Sequence, residues 1–167
     1  MLYTDYFLCL LPMKISRLLR SELIEPNLTL ADKDRVLEYL VRLAMPCLKG
    51  ECEADAERIL TALREREEVT STGIGNGVAI PHAKIEGLKK MVIAFARSPG
   101  GVSFQALDDA PVYLIFLVIA PPEAISDYLK LLAAISAFLR CERNRQALQK
   151  ATTRAEIFAA IKAGEGQ

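Results

Sequence analysis

The chain lacks several of the residue patterns on which metal sites and nucleic-acid interfaces depend. It has one histidine, four cysteines with no C-x-x-C pair, and 21 basic against 21 acidic residues. One histidine beside scattered cysteines does not supply the closely spaced ligands of a zinc site. Balanced charge gives no electrostatic basis for nucleic-acid binding. The cysteine pattern is typical of reduced thiols. The composition therefore predicts no metal, no nucleic-acid partner and a cytoplasmic location.

Long hydrophobic runs are also missing. The apolar run Tyr6–Leu11 is too short to span a bilayer and has neither a basic region before it nor a small-residue cleavage site after it. The run Val112–Ala120 is too short as well, and its continuous apolar character is that of a central strand covered on both faces. We therefore expect no membrane insertion.

The common nucleotide and hydrolase motifs do not occur. Gly73-x-Gly75-x-Gly77 is not a dinucleotide fingerprint, because Val78 stands where that motif needs a further glycine. There is no G-x-x-x-x-G-K-[ST] phosphate loop and no G-x-S-x-G nucleophile elbow. Nucleotide-dependent and serine-hydrolase chemistry are therefore not supported.

One segment, Ser71–Lys84, combines three glycines with the single histidine. Glycines at this density allow positive φ values and close backbone approach. The apolar residues Val78–Ile80 suit a short buried strand, which Pro81 should end because proline cannot donate to a sheet. His82 is then placed at a strand end, beside a glycine-rich loop.

A neutral imidazole at this position is a candidate phosphoryl acceptor. An unperturbed imidazole has a pKa near 6.5, so at neutral pH a ring nitrogen is available as a nucleophile. The amides of the loop at Gly75 and Gly77, with the hydroxyls of Ser71 and Thr72, are candidate ligands for the phosphoryl oxygens. No metal or cofactor is needed if these donors neutralise the charge. A structural role for His82 is the alternative, since single histidines are more often structural.

The run Ser-Thr-Gly-Ile-Gly-Asn-Gly-Val-Ala-Ile-Pro-His resembles the active-site signature of the enzyme IIA components of the bacterial phosphoenolpyruvate-dependent phosphotransferase system. The similarity is to the fructose/mannitol type, most closely to the stand-alone nitrogen-regulatory members, and extends from about Met13 to Lys162. It implies that His82 carries the phosphoryl group and receives it from an HPr-type histidine phosphocarrier. It also implies that Arg66, of the pair Arg66-Glu67, lies near that histidine.

The chain departs from this family at one position. Many members have a second histidine at the start of a later helix, where this sequence has Tyr128. A phenol can donate a hydrogen bond to a phosphoryl oxygen but cannot do so as a cation. Tyr128 is therefore a candidate supporting residue, and a mechanism that needs a second imidazole is in doubt.

The resemblance implies a regulatory, nitrogen-type phosphoryl carrier that signals to a downstream target protein. A sugar-specific IIA that passes the group to an enzyme IIB is one alternative. A regulatory binding protein that has lost relay activity is an alternative of a different class.

The predicted fold is α/β, a single domain with a central mixed sheet and helices on both faces. We interpret residues 1–12 as an N-terminal extension before a second candidate start, 13–163 as the domain, and 164–167 as a fraying tail. Individual element predictions are a helix ended by Pro46, a helix over Glu53–Glu67, a strand over Met91–Arg97, a turn at Ser98–Gly101, a strand over Val112–Ala120, a helix over Ala124–Arg140, and closing helices over Asn144–Lys150 and Thr153–Ala163. The predicted buried face of the helix over Ala124–Arg140 is Ile125, Leu129, Leu132, Ile135, Ser136 and Leu139.

Overall fold

The computed structural model describes residues 13–48 and 55–166. Six α-helices are found in these ranges: α1 (Ile15–Leu18), α2 (Lys33–Leu48), α3 (Ala56–Val69), α4 (Ile125–Arg140), α5 (Glu142–Lys150) and α6 (Arg154–Gly164). The strands are β1 (Ile24–Glu25), β2 (Gly73–Gly75), β3 (Val78–Ala79), β4 (His82–Lys84), β5 (Val92–Val102) and β6 (Val112–Ala120). A 3-10 turn, Ser21–Leu23, leads into β1.

The strands form one mixed sheet in the order β1-β5-β6-β3-β2, with β4 also paired to β6. β5 and β6 are antiparallel, whereas β3 and β4 both run parallel to β6. Helices α2 and α3 pack against β5 and β4, and α5 and α6 pack against β6 and β1. The predicted α/β domain, with helices on both faces of a mixed sheet, is confirmed.

Strand β6 is the centre of the core, with the bounds that its nine apolar residues predict. All of its side chains except Tyr113 are buried. The ring of Phe116 lies 4.7 Å from that of Phe95 on β5, centroid to centroid. Full burial of one such side chain contributes about 1.5–3 kcal/mol, so this strand holds both layers of helices to the sheet.

Two of the predicted element boundaries are wrong. Pro46 lies inside α2, which continues to Leu48. Proline costs the helix one hydrogen bond and crowds the carbonyl of the preceding turn, and burial of Leu48 in the core offsets part of that cost. Ser98–Gly101 is not a turn but part of β5. The pairing with β6 shifts register between Arg97 and Val102, and this bulge accommodates the proline and the glycines without ending the strand.

The predicted buried face of α4 is also partly wrong. Ile125 and Leu129 are 52% and 58% exposed. The buried residues of α4 are Tyr128, Leu131, Ile135, Phe138 and Leu139. The helix carries apolar residues on more than one face, so their spacing alone does not select the face that packs.

The other helix predictions hold within a few residues. The apolar residues Ile59, Leu60 and Leu63 of α3 are buried, and the predicted start of this helix at Glu53 lies outside the described residues. Thr153 caps α6 in a reciprocal capping box with Glu156. Of the segments assigned to an extension and a tail, residues 1–12 and Gln167 lie outside the described ranges; Gly164 is the last residue of α6.

Candidate active site

His82 is the first residue of β4 and is half-buried. It pairs with Val118 of β6, two residues before that strand ends at Ala120. Pro81 separates β4 from the buried strand β3, so the predicted strand break at proline is present and places His82 at the start of the next strand. The carboxyl end of a strand in an open sheet is a common place for ligand sites.

The two ring nitrogens of His82 have different partners. Nδ1 lies 2.6 Å from the carbonyl oxygen of Ile80, and Nε2 lies 3.2 Å from Nε of Arg66. A carbonyl can only accept, so Nδ1 carries the proton and donates it, and Nε2 keeps its lone pair and accepts from the guanidinium. The structure therefore presents Nε2 as the nucleophilic atom of a neutral imidazole.

Burial lowers the pKa of His82 below its ordinary value, and the nearby charge of Arg66 lowers it further. The hydrogen bond to Ile80 and the negative charge of Glu67 act in the opposite direction, with a smaller combined effect. At neutral pH the ring is therefore uncharged, which is the state that a nucleophile requires.

Arg66 reaches His82 from the last turn of α3. Besides its contact with Nε2, its guanidinium donates through Nη1 to the carbonyl oxygen of Thr70 at 3.0 Å. This second bond holds the planar group at one orientation. The structure thus brings together His82 and Arg66, the pair that the family resemblance implies.

A buried carboxylate, that of Glu67, organises the start of the motif. Glu67 is 8% exposed and accepts from the backbone N–H of Thr72 at 3.0 Å, from the Thr72 hydroxyl at 2.6 Å and from the Ser71 hydroxyl at 3.0 Å. Lys33 of α2 lies 3.6 Å from the same carboxylate. Both hydroxyls predicted to hold phosphoryl oxygens thus have Glu67 as a partner in this structure.

Sequence reasoning gave Glu67 no role of its own. It lies in the run Arg64–Glu68, which reads as a solvated helix face. The available signal was the Ser-Thr pair four and five residues later, since serine and threonine hydroxyls can donate hydrogen bonds to an ionised carboxylate.

The glycines of the motif form a hairpin between β2 and β3. Asn76 and Gly77 have φ values of 54° and 74°, the left-handed conformation that a tight hairpin turn requires. A Cβ at Gly77 would lie 2.9 Å from the ring of Tyr113, and one at Gly75 would lie 3.2 Å from the carboxylate of Asp108. These glycines serve the turn and its close packing.

The hairpin is not adjacent to the imidazole. Val78 pairs with Leu114 and His82 with Val118, so the end of the hairpin is about 13 Å along β6 from His82 at 3.3 Å per residue. Gly75 and Gly77 are therefore not among the residues that the structure brings together around His82.

Tyr128 is in the first turn of α4. Its ring centroid is 6.0 Å from that of His82, with the ring planes inclined by 60°. Burial raises the pKa of its hydroxyl, and Arg66 opposes that shift. Nζ of Lys84 lies 5.5 Å from the centroid of the same ring. Tyr128 is thus close to the imidazole, as the resemblance implies.

In the parts of the chain that the structure describes, no cluster of three or more histidine, cysteine, aspartate or glutamate side chains has a geometry that would hold a metal ion. None of the helices in those parts is long and apolar enough to cross a membrane.

Residues 17–164 match the family described as phosphoenolpyruvate-dependent sugar phosphotransferase system, EIIA 2. The chain belongs to this EIIA family. Its resemblance to the fructose/mannitol type, inferred from the Ser71–His82 motif, is thereby confirmed.

Curated relatives of this EIIA chain have two kinds of name. It is 36% identical over 143 residues to a PTS system fructose-specific EIIA component of Haloferax volcanii, covering 86% of this chain and 91% of that protein. It is 37% identical over 132 residues to a nitrogen regulatory protein of Pseudomonas aeruginosa, covering 79% and 84%.

Solved structures support the same fold. The nitrogen regulatory protein IIA-Ntr of Neisseria meningitidis superposes with a TM-score of 0.81 at 30% identity, covering 88% of this chain and 98% of that one. IIA mannitol of Escherichia coli superposes with a TM-score of 0.70 at 22% identity, covering 86% and 98%. The second likeness concerns the fold alone.

Proposed function

We propose that the chain is a phosphotransferase that carries a phosphoryl group on Nε2 of His82, as a regulatory, nitrogen-type IIA. The observation that carries this proposal is the pair of contacts on the imidazole. Nδ1 donates its hydrogen to the carbonyl oxygen of Ile80, while Nε2 keeps a lone pair and accepts from the guanidinium of Arg66. The donor in the proposed reaction is an HPr-type histidine phosphocarrier, as in the family that the motif resembles.

The transfer is a displacement at phosphorus. The lone pair of His82 Nε2 forms the new bond to phosphorus, and the bond between phosphorus and the donor's imidazole nitrogen breaks, its electron pair returning to that nitrogen. The proton on Nδ1 stays with His82 and remains donated to Ile80, so the phosphorylated ring is an imidazolium. The donor leaves as a neutral imidazole when its other ring nitrogen already carries a proton. No base is therefore needed, because the nucleophile is already neutral.

Arg66 has a part in both states of this reaction. Before transfer, its Nε–H donates a hydrogen bond to the lone pair of His82 Nε2 at 3.2 Å. This hydrogen bond has to break when phosphorus approaches Nε2. The same guanidinium then lies beside the phosphoryl oxygens, for which its planar fork of N–H groups is suited. Its bond to Thr70 keeps it at the site throughout.

Exposed apolar side chains beside the imidazole support a protein as the donor. Val69, at the end of the helix that carries Arg66, is 80% exposed. Ile125 and Leu129, which flank Tyr128 on α4, are 52% and 58% exposed. Apolar surface around a reactive group is typical of a site that docks a protein partner.

The test is incubation with phosphoenolpyruvate, enzyme I and HPr, followed by intact-mass measurement. We expect one acid-labile phosphoryl group on the wild-type chain and none on the variant His82→Gln, whose circular dichroism should match the wild type. Labelling of that variant would contradict the assignment of His82. Absence of labelling on the wild-type chain would favour the non-relaying binding protein.

The fructose-specific relative favours a second candidate, a IIA that passes the group to an enzyme IIB. The phosphorylated chain should be mixed with purified fructose-type and mannitol-type IIB domains. The regulatory proposal expects the phosphoryl group to stay on His82. Transfer to either IIB domain within seconds would instead support the sugar-specific function.

A further inference from the structure

Lys84 is on the same side of β4 as His82. Side chains alternate along a strand, so residues 82 and 84 share one face while Ala83, which is 6% exposed, points into the core. Alternate residues of a strand are about 6.6 Å apart, a span that the four-carbon stem of a lysine can cross. The ammonium group of Lys84 can therefore reach a group carried on the imidazole.

The ring of Tyr128 is beside both of these side chains. It lies 6.0 Å from the His82 ring and 5.5 Å from Nζ of Lys84, measured to the centroid. An ammonium group within about 6 Å of an aromatic centroid is attracted by the ring. The buried Tyr128 thus restricts an otherwise exposed lysine to the neighbourhood of the imidazole.

The charges of the site leave room for a second cation. A phosphoryl group carries about −1.5 to −2 at neutral pH. The charge of buried Glu67 is matched by Lys33 at 3.6 Å, so it does not neutralise Arg66. Arg66 supplies one positive charge beside the phosphoryl oxygens, whereas the charge of the phosphorylated ring is on the imidazole, whose Nδ1 proton is donated to Ile80. A second cation beside the oxygens would further lower the charge that remains on them.

We infer that Lys84 contacts the phosphoryl group on His82 and supplies this second charge, and that the ring of Tyr128 is the positioning residue that holds Lys84 there. The inference rests on the proposed phosphorylation of His82. Lys84 transfers no proton; it acts on the charge of the phosphoryl oxygens. The cation that a second imidazole would provide thus comes from a neighbouring strand residue.

The experiment uses two donors, phosphorylated HPr and the small molecule phosphoramidate. Phosphoramidate gives its phosphoryl group to an imidazole nitrogen as its phosphorus–nitrogen bond breaks and ammonia leaves, so no docking partner is involved. We expect Lys84→Met to slow labelling of His82 roughly fivefold with either donor, the scale of an exposed ion pair. Lys84→Arg should restore most of the rate.

The role of Tyr128 is tested through its ring. Tyr128→Phe keeps the ring and should lose less rate than Lys84→Met, whereas Tyr128→Leu should be as slow as Lys84→Met. The double variant Lys84→Met/Tyr128→Leu should be no slower than either single variant, because both changes remove the same contact. Fully additive losses would contradict the positioning role.

The matched control is Lys162→Met, the same change at an exposed lysine of α6, which packs against α1 and β1. It should label at the wild-type rate. If the wild-type chain is not labelled by HPr, the proposed function fails. If it is labelled, and Lys84→Met either keeps the wild-type rate with both donors or loses rate with HPr only, the proposed function stands and the inference is overturned.

Discussion

The two halves of the motif are continuous in sequence but differ in what they contact. Residues 71–77 are held by groups elsewhere in the chain: Ser71 and Thr72 by Glu67, and Gly77 by close packing on Tyr113. Residues 80–84 instead present reactive groups, with His82 and Lys84 on one face of β4. The glycine-rich residues of the motif therefore form a structural hairpin. The nucleophile His82 lies about 13 Å from the end of that hairpin, measured along β6.

This comparison separates two kinds of mutational effect. Changes at His82 and Lys84 should alter the transfer rate with little change in stability, since His82 is only partly buried and Lys84 is exposed. Changes in residues 71–77 should lower stability and leave the rate per folded molecule nearly unchanged. The following predictions test this division, from the largest expected effect to the smallest.

Arg66→Ala should give the largest loss of rate among the residues that surround His82. Removing one preorganised donor to developing charge typically costs roughly 100- to 1,000-fold in rate. Tyr128→Phe removes one neutral hydroxyl, and we expect it to cost less than tenfold. The measurement is the single-turnover rate of transfer from phosphorylated HPr, with folding checked by circular dichroism. If Tyr128→Phe proves more damaging, the hydroxyl has the role assigned here to Arg66.

Gly77→Ala should affect stability rather than chemistry. Its φ of 74° is unfavourable for alanine, and the new Cβ would lie 2.9 Å from the ring of Tyr113. Together these effects should cost about 1–3 kcal/mol of unfolding free energy, measured by thermal or urea unfolding. The rate of His82 labelling per folded molecule should stay near the wild type.

Gly100→Ala is the matched control, because a Cβ at that position meets nothing within 4 Å. It should change stability by less than about 0.5 kcal/mol. If the two variants lose equal unfolding free energy, the hairpin has no special requirement for glycine at position 77. A large loss of labelling in Gly77→Ala would place the hairpin in the reaction after all.

The sequence predicts those features that depend on residues close together along the chain, and it fails for those that depend on contacts between distant elements. The strand β6 followed from nine continuous apolar residues. The packed face of α4 did not, because Leu129 and Leu131 are equally apolar and only the neighbouring elements decide which is buried. The register shift in β5 likewise depends on pairing with β6, so Pro99 and Gly100 read locally as a turn.

The same limit applies to the site. His82 could be singled out because the motif and the family resemblance are both local in sequence. The role of Glu67 required knowing that Lys33, 34 residues earlier, comes within 3.6 Å of it. The assignment of the phosphoryl ligands to Gly75 and Gly77 assumed that neighbours in sequence are neighbours in space. The chain is extended from Val78 to His82, and this segment separates the two glycines from the imidazole.

The smallest expected effect is a pH dependence of stability that arises from His82. Burial and Arg66 lower the pKa of His82 in the folded chain, whereas an unfolded chain has the ordinary value near 6.5. Above pH 6.5 the ring is neutral in both states and contributes no pH dependence. Below it, the unfolded state binds a proton that the folded state does not, so stability is lost as the pH falls from 6.5 through the folded pKa.

The measurement is urea unfolding of the wild type and of His82→Gln between pH 8 and pH 5. Other titrating groups are shared by the two chains and cancel in the difference. The wild type should lose stability relative to the variant as the pH drops below 6.5, and the difference should be constant above it. If the wild type instead gains relative stability in acid, His82 binds its proton more tightly when folded. In that case the hydrogen bond to Ile80 and the charge of Glu67 would together outweigh burial and Arg66. Less of the neutral nucleophile on which the proposed transfer depends would then be present near pH 7.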